Sequence, residues 1–277
     1  MNFIKESNIY KPKDIYFKLF INKFWFIPSD VLQRSIEASI WDLCKFKHPI
    51  LDIGIGNGEI TPLIFKNIKK IDVGIDIEAS GLSKAMKTGR YKKVLREDAA
   101  KMGLKSSLFN TVISNSTFEH IENDIKAVSE VSRVLKKNGL FFFTVPCNFL
   151  PKWILELEGN NSMQKLKKFN KRANHLHYRS ISDWNKIFND NGMKIELYKF
   201  YYPKKVAMFW YKMFKFFTYK LNNKEIWSYI GYSKISKVIP KKIFKYFEEK
   251  ILWKSFQEGF LLDSDEGAML FMAVKKL

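Results

Sequence analysis

One stretch constrains this chain more than any other: Leu51-Asp52-Ile53-Gly54-Ile55-Gly56-Asn57-Gly58-Glu59. A short apolar run, Ile50–Ile53, ends in glycines at every second position, and an apolar-periodic segment follows over 60–68. That order predicts a strand, a tight turn and a helix. Glycine lets the turn close and lets backbone approach a ligand without a Cβ in the way. The helix start adds free N–H groups and the positive end of a dipole, which suit a carboxylate. The spacing is G-x-G-x-G, whereas a nicotinamide dinucleotide favours G-x-G-x-x-G.

The pattern around this turn alternates strand and helix. Strands are expected at 71–77, 94–96, 111–114, 140–145, 194–201 and 268–274. Helices are expected at 60–68, 82–88, 124–135 and 182–191. Ser182 is the expected cap of the last helix and Gly192 its stop, while Asn138-Gly139 is the expected left-handed end of 124–135. Residues 140–145 are continuously apolar, as in a strand buried on both faces at the centre of a parallel sheet. Alternating units of this kind imply a doubly wound α/β sheet.

Polar groups fall where the strands end. Asp52 precedes the first glycine, and Asp76 closes the second strand, where a carboxylate can accept both hydroxyls of a ribose. Glu97-Asp98-Ala99 follows the third strand, where a carboxylate can accept from an adenine amino group. Asn115 ends the fourth strand, beside the start of Phe118-Glu119-His120. Ligands of open α/β sheets bind outside such carboxyl ends. The plain alternatives are a helix cap for Asp76 and an ordinary loop acid for Asp98.

Residues 48–146 resemble the class I S-adenosylmethionine-dependent methyltransferases, and within them the type 11 group. The matching pieces are LDIGIGNGE (51–59), VGIDI (73–77), REDAAKMGLKSSLFNTVISNSTFEHIEN (96–123) and VLKKNGLFFFTVP (134–146). A looser likeness runs through 175–198. The resemblance implies a Rossmann-like sheet of seven strands, six parallel and the last antiparallel, with 268–274 in that last place. It implies S-adenosylmethionine as cofactor: Gly54, Gly56 and Gly58 approach it, Asp76 holds the ribose, Asp98 and the Ala99 backbone read adenine, and Asn115 lies near the methionine moiety. The short basic third-strand region at 91–94 departs from the family pattern, which makes the adenine assignment weaker than the ribose one.

The domain plan that follows is an N-terminal helical flank (1–47), a methyltransferase domain (48–202 plus 265–277, with a lid excursion at 147–178) and a basic aromatic helical insert (203–264). In the flank, Pro28-Ser29-Asp30 offers a helix start, with Ser29 or Asp30 as cap and Val31, Leu32, Ile36, Ile40 and Leu43 on its inner face. The chain of 277 residues carries a formal charge of +20. Such a charge draws polyanions, although lysine-rich, arginine-poor codon usage explains part of it. Its two cysteines, Cys44 and Cys147, fit no motif, so a reducing compartment is expected. No signal peptide is read in the polar start, and no stretch reaches the roughly 18–20 apolar residues of a membrane span. A cytoplasmic place is expected, or a peripheral one on the inner membrane surface.

Four histidines are available: His48, His120, His175 and His177. His48 reads as structural. His120 lies just past the cofactor loop, and His175 and His177 follow the lid excursion. These last three are the candidates for a base or acceptor-orienting group, with anchoring of the lid or loop as the plain alternative. An H-x-H pair suits a metal, but no third ligand is evident in the sequence, and none is expected.

Residues 204–260 hold 13 lysines and four acids with interleaved aromatics. Val206, Phe209, Trp210, Met213, Phe214 and Phe217 share one helical face, and Pro240 can open a second helix with Ile243, Phe244, Phe247 and Ile251 on one side. These faces either pack on the core, dip into an anionic membrane or bind RNA. The scarcity of Arg favours membrane over RNA. The expected reaction is methyl transfer to a small-molecule or lipid-linked acceptor, with oxygen as the expected atom. The rivals are an RNA methyltransferase, a nicotinamide oxidoreductase and a non-catalytic cofactor-binding scaffold.

Overall fold

The computed structural model describes residues 11–232, 241–260 and 264–277. The chain enters through helices α1 (Asp14–Phe24) and α2 (Pro28–Trp41). Pro28 occupies the start of α2, where its missing N–H is no loss. Ser29 and Asp30 therefore fall inside the first turn rather than capping it. Strand and helix then alternate: β1 (Ile50–Ile53), α3 (Thr61–Ile64), β2 (Ile71–Asp76), α4 (Ala79–Lys87), β3 (Tyr91–Arg96), β4 (Phe109–Asn115), α5 (Asp124–Val134) and β5 (Leu135–Pro146). The lid excursion forms α6 (Phe149–Glu158) and α7 (Ser162–Ala173), and α8 (Ile181–Asp190) and β6 (Met193–Tyr201) follow. The insert contributes α9 (Lys204–Phe217), a small hairpin of β7 (Lys220–Leu221) and β8 (Lys224–Glu225), α10 (Ile226–Tyr232) and α11 (Lys241–Glu258). β9 (Met269–Lys276) completes the chain.

The seven long strands form one sheet in the order β3-β2-β1-β4-β5-β9-β6. β9 runs antiparallel to both β5 and β6, and the other pairs are parallel. This is the Rossmann-like arrangement with six parallel strands and an antiparallel last one. Alternation along β5 divides the core. Phe142 joins Phe46 and Phe271 on the side of α1 and α2. Phe141 and Phe143 stack at 4.5 Å on the other side, against Phe118, Trp184 and Phe188. A fully buried Phe of this kind contributes on the order of 3–5 kcal/mol against truncation to Ala.

Several local expectations change. α3 spans four residues, not the whole of 60–68. α5 stops at Val134 because β5 begins at Leu135, which pairs with Phe109. The left-handed residue of that turn is Asn138, at φ 64°, and it lies within β5 rather than at a helix end. α8 is capped by Ser180, not Ser182, through a reciprocal box with Asp183. Cys44 and Cys147 are buried and form no disulfide.

The insert packs on the flank. α9 lies against α2 and α6, and α11 against α1 and α2. Val206, Ala207, Met208, Trp210 and Tyr211 are buried on α9, and Leu252 and Phe256 on α11. Ile251, expected on the apolar side of this helix, is 61% exposed. Pro240 and the side chains of Ile243 and Phe247 lie outside the described residues.

α11 also carries a buried acid. Burial pushes the Glu248 carboxyl up to about 9, and neither oxygen has a hydrogen-bond partner. In the unfolded chain such a carboxyl ionises near about 4.3. The folded state thus holds an extra proton between those values, and stability falls as pH rises through the interval. Glu248→Gln is expected to raise stability by about 1–3 kcal/mol at pH 7.5 and to change it little at pH 4.5. Urea denaturation at the two pH values measures this, and an unchanged midpoint at pH 7.5 would refute the buried-acid account.

Candidate active site

The carboxyl ends of β1, β2, β3 and β4 open into a cleft of about 770 Å³. That size lies within the roughly 300–1,000 Å³ of ordinary ligand sites. Its floor is the glycine turn. Gly56 has φ +52°, and a Cβ there would meet nothing within 4 Å, so this backbone faces open cleft. Gly54 also lines the cleft, and a Cβ on it would strike Thr117 at 2.3 Å. Gly58 is used differently: a Cβ would strike the Cα of Ala85 at 2.6 Å, so this glycine serves the packing of α4 and is not among the lining residues.

Asp76, at the end of β2, lines the cleft opposite this turn. Its Oδ2 accepts the Gly56 N–H at 2.7 Å and its Oδ1 the Glu78 N–H at 2.9 Å. Each oxygen keeps a further lone pair for an incoming hydroxyl. Asp98 and Ala99 line the far end, with Glu97 beside them. Asp98 Oδ1 accepts the Ala100 N–H at 2.8 Å, and Glu97 Oε2 accepts the Gly103 N–H at 2.9 Å. An open glycine backbone, a carboxylate at the second strand end and an acid at the third fit a nucleoside-bearing cofactor.

Two expected cofactor residues sit elsewhere. Asp52 is buried beneath the turn and is not among the lining residues. It accepts from the Tyr91 hydroxyl at 2.6 Å, and burial lifts its carboxyl to about 7. Asn115 is turned toward α2: it accepts from Trp41 Nε1 at 2.6 Å and donates to Glu37 Oε2 at 3.0 Å. The residues after it, Ser116 and Thr117, line the cleft in its place. Ser116 takes φ 49°, and its hydroxyl donates to Glu37 Oε1 at 3.0 Å.

A second chamber of about 180 Å³ adjoins the cleft and shares Ser116, His120, Arg172 and Ala173 with it. Asp30 and Arg34 of α2, Glu119, His175, Trp210 and Phe214 complete much of its wall. Burial raises the Glu119 carboxyl to about 8. The same cause lowers His120 and brings His175 down to about 3, so both rings are neutral near pH 7. His177 lines neither cavity. Its Nε2 meets the Glu122 carbonyl at 3.1 Å, which makes it a tie between the lid segment and the loop before α5.

Sequence reasoning missed Arg34, Glu37, Glu119 and Arg172. Arg172 Nε meets Glu225 Oε1 at 2.6 Å, so β8 of the insert fixes a lid residue that lines both cavities. No local pattern marks these residues. Gly81 alone left a signal, a glycine in a helical stretch: a Cβ there would meet the Gly56 carbonyl at 2.5 Å.

Comparison with known proteins accords with this geometry. Residues 51–143 match the family model described as a methyltransferase domain. An uncharacterised protein of Methanocaldococcus jannaschii, MJ1252, is 31% identical over 160 residues, covering 55% of this chain and 58% of that protein. The uncharacterised methyltransferase YcgJ of Bacillus subtilis is 26% identical over 155 residues, covering 54% of this chain and 58% of that one. The chain thus spans somewhat over half the length of these relatives. Among solved structures, an S-adenosylmethionine-dependent methyltransferase from Thermotoga maritima aligns with TM-score 0.54 at 17% identity, covering 95% of this chain and 99% of that one. A geranyl diphosphate methyltransferase aligns with TM-score 0.52 at 13% identity, covering 88% and 77%. These two show a shared fold. Residues 51–143 are thus similar to a methyltransferase domain, and the sheet has the fold of these two solved methyltransferases.

Asp76→Ala tests the expected ribose role of the carboxylate at the end of β2. Affinity for S-adenosylhomocysteine is expected to fall by about 10- to 100-fold, since a hydrogen bond to a charged group contributes roughly 1.5–3 kcal/mol. Calorimetry measures it, and wild-type affinity would dismiss the ribose assignment.

Proposed function

We propose that this protein transfers a methyl group from S-adenosylmethionine to a small polar acceptor held in the chamber between α2, α7 and α9. The observation that carries this reading is the chamber itself, which meets the cofactor cleft at Ser116 and His120. The cofactor supplies a methyl group already activated by its sulfonium. What remains for the protein is to hold the acceptor in line, and alignment of this kind is worth roughly 7–11 kcal/mol of barrier.

The chain's own groups divide that work. Trp210 and Phe214 give the acceptor an apolar wall, and Arg172 closes the mouth where cleft and chamber meet. His120 donates its Nδ1–H to the Asn174 carbonyl at 2.7 Å, which leaves Nε2 as an acceptor. His120 and His175 therefore orient a donor group on the acceptor, such as a hydroxyl. A base is needed only where the acceptor must lose a proton, and it then adds about 10²–10⁴-fold. Methylation on oxygen is the reaction these neutral rings suit best. His177, outside both cavities, keeps a lid-anchoring role.

The size of the chamber argues for a small molecule or the reactive head of a larger one. Arg172 is the one Lys or Arg among the described residues lining the main cleft, which gives a nucleic-acid backbone little to follow. A lipid-linked acceptor at an anionic membrane surface has an observation in its favour. Phe216, Tyr219 and Leu221 are exposed at the end of α9 and in the adjoining hairpin, among exposed Lys212, Lys215, Lys220 and Lys224. Apolar side chains ringed by lysines suit an interfacial contact. No helix among the described residues is long and apolar enough to cross a membrane.

Labelled cofactor incubated with metabolite extract tests the main reading. A single low-mass product gaining the label is expected. His175→Ala should lower its formation at least about tenfold while S-adenosylhomocysteine still binds. Label recovered only in RNA would overturn the reading. Flotation with anionic vesicles tests the lipid variant: binding should be lost at high salt and in Phe216→Ser/Leu221→Ser. Equal binding to neutral vesicles would count against it.

A further inference from the structure

Glu119, His120 and His175 each present one ligand atom, and these atoms lie within 4.8 Å of one another. Among the described residues this is the one group of three or more His, Cys, Asp or Glu so arranged. All three line the small chamber. The H-x-H spacing of His175 and His177 is not what assembles it, because His177 is turned to the Glu122 carbonyl. His175 meets His120 instead, with ring centroids 5.4 Å apart.

The hydrogen bonds around the two rings decide which nitrogen is bare. His120 Nδ1 lies 2.7 Å from the Asn174 carbonyl, which only accepts, so the proton sits on Nδ1. His175 Nδ1 lies 2.9 Å from the Tyr178 hydroxyl. That hydroxyl gives its single proton to Asn170 Oδ1 at 2.7 Å, so it must accept from the ring. Both imidazoles therefore carry Nδ1–H and a bare Nε2. A carbonyl or hydroxyl behind the far nitrogen is the usual setting of metal-bound histidine. The third member has one carboxyl oxygen left unpaired. Glu119 is 3% exposed, and its Oε2 has no hydrogen-bond partner. A buried carboxyl oxygen without a protein partner, facing a chamber that two bare imidazole nitrogens also line, is open to a ligand.

We propose that Glu119, His120 and His175 form a site for one divalent transition-metal ion of zinc's chemical class, with a coordination position open to the acceptor chamber. Two imidazoles and a carboxylate suit such ions, and three protein ligands leave room for a fourth. Neighbouring donors of a tetrahedral site stand about 3.3 Å apart. Binding thus draws His175, on the segment after α7, toward the Glu119-His120 turn and fastens the lid to the core. The chamber's two arginines do not oppose the charge. Arg34 is paired with Glu37 at 2.7 Å and Arg172 with Glu225 at 2.6 Å. That the open position receives the acceptor's oxygen or nitrogen rests on the function proposed above; the ion site itself does not.

The test is metal binding by the full chain, stripped with a chelator and titrated with Co²⁺ under visible absorption and with Zn²⁺ by calorimetry. One ion per chain is expected. His175→Ala and Glu119→Gln should each weaken it by at least about tenfold, and His177→Ala by less than about twofold. S-adenosylhomocysteine binding, measured on the same variants, shows that they are folded. Co²⁺ bound no more tightly by the wild type than by a folded His120→Ala/His175→Ala variant overturns the site. Tight, variant-sensitive uptake without methyl transfer to any acceptor supports the site and removes the acceptor reading instead, so the two failures are separable.

Discussion

Glu37 is a carboxylate with no exposed surface, and much of the site is built around it. It accepts from Gln33 Nε2 and Arg34 Nη1 on its own helix, and from Asn115 Nδ2 and Ser116 Oγ at the end of β4. A charge removed from water is tolerated only when it is paired and its lone pairs are filled. Those four donors come together in one docking of α2 against the sheet. That docking holds Ser116 at φ 49° and brings Thr117 over Gly54, where no side chain larger than hydrogen fits. The N-terminal flank is therefore part of the cleft's construction, although its described residues supply none of the lining.

The lid and insert extend the same logic with opposite charges. Glu158 at the end of α6 receives Lys165 of α7 and both Lys215 and Tyr211 of α9. Arg172 of α7 is held in a fork by Glu225 of β8, which also receives Trp227 Nε1. Exposed pairs of this kind contribute little to stability one by one. Their weight here is geometric, since bidentate pairing fixes direction. They set α7 and α9 as the roof of a small chamber and point Trp210 and Phe214 into its wall. Part of the insert's aromatic and basic character is thereby accounted for by packing and ion pairs, and the exposed Phe216, Tyr219 and Leu221 are what is left over.

The cleft half of the candidate site was legible because it is written in contiguous pieces. A strand, a glycine turn and an acid at the next strand end are local patterns, and they led to Gly54, Gly56, Asp76, Asp98 and Ala99 along the cleft. The misses there are small and physical. Asn115 lies one residue before the cleft wall, because Glu37 and Trp41 on α2 claim its amide. Asp52 lies under the turn, because a Tyr91 hydroxyl reaches it across the sheet. Gly58 is a glycine for the sake of Ala85, not of a ligand. Each depends on a partner from another element, which no spacing within the motif records.

The chamber half was scarcely legible for the same reason carried further. Its walls come from α2, the turn at 118–120, the segment after α7, and α9, more than 150 residues apart along the chain. Sequence spacing suggested pairing His175 with His177. In an extended segment, alternate residues can share a face, but here the backbone and its partners separate them. Tyr178, two elements of hydrogen bonding away from the cleft, turns the His175 ring toward His120. Glu122 and Asp124 hold His177 on the outside. What singles out one histidine as part of the chamber is thus the identity of the group behind its far nitrogen. That group is supplied by tertiary contact, so the make-up of the chamber is set by how the segment after α7 docks, whereas the glycine turn at 51–59 is written locally.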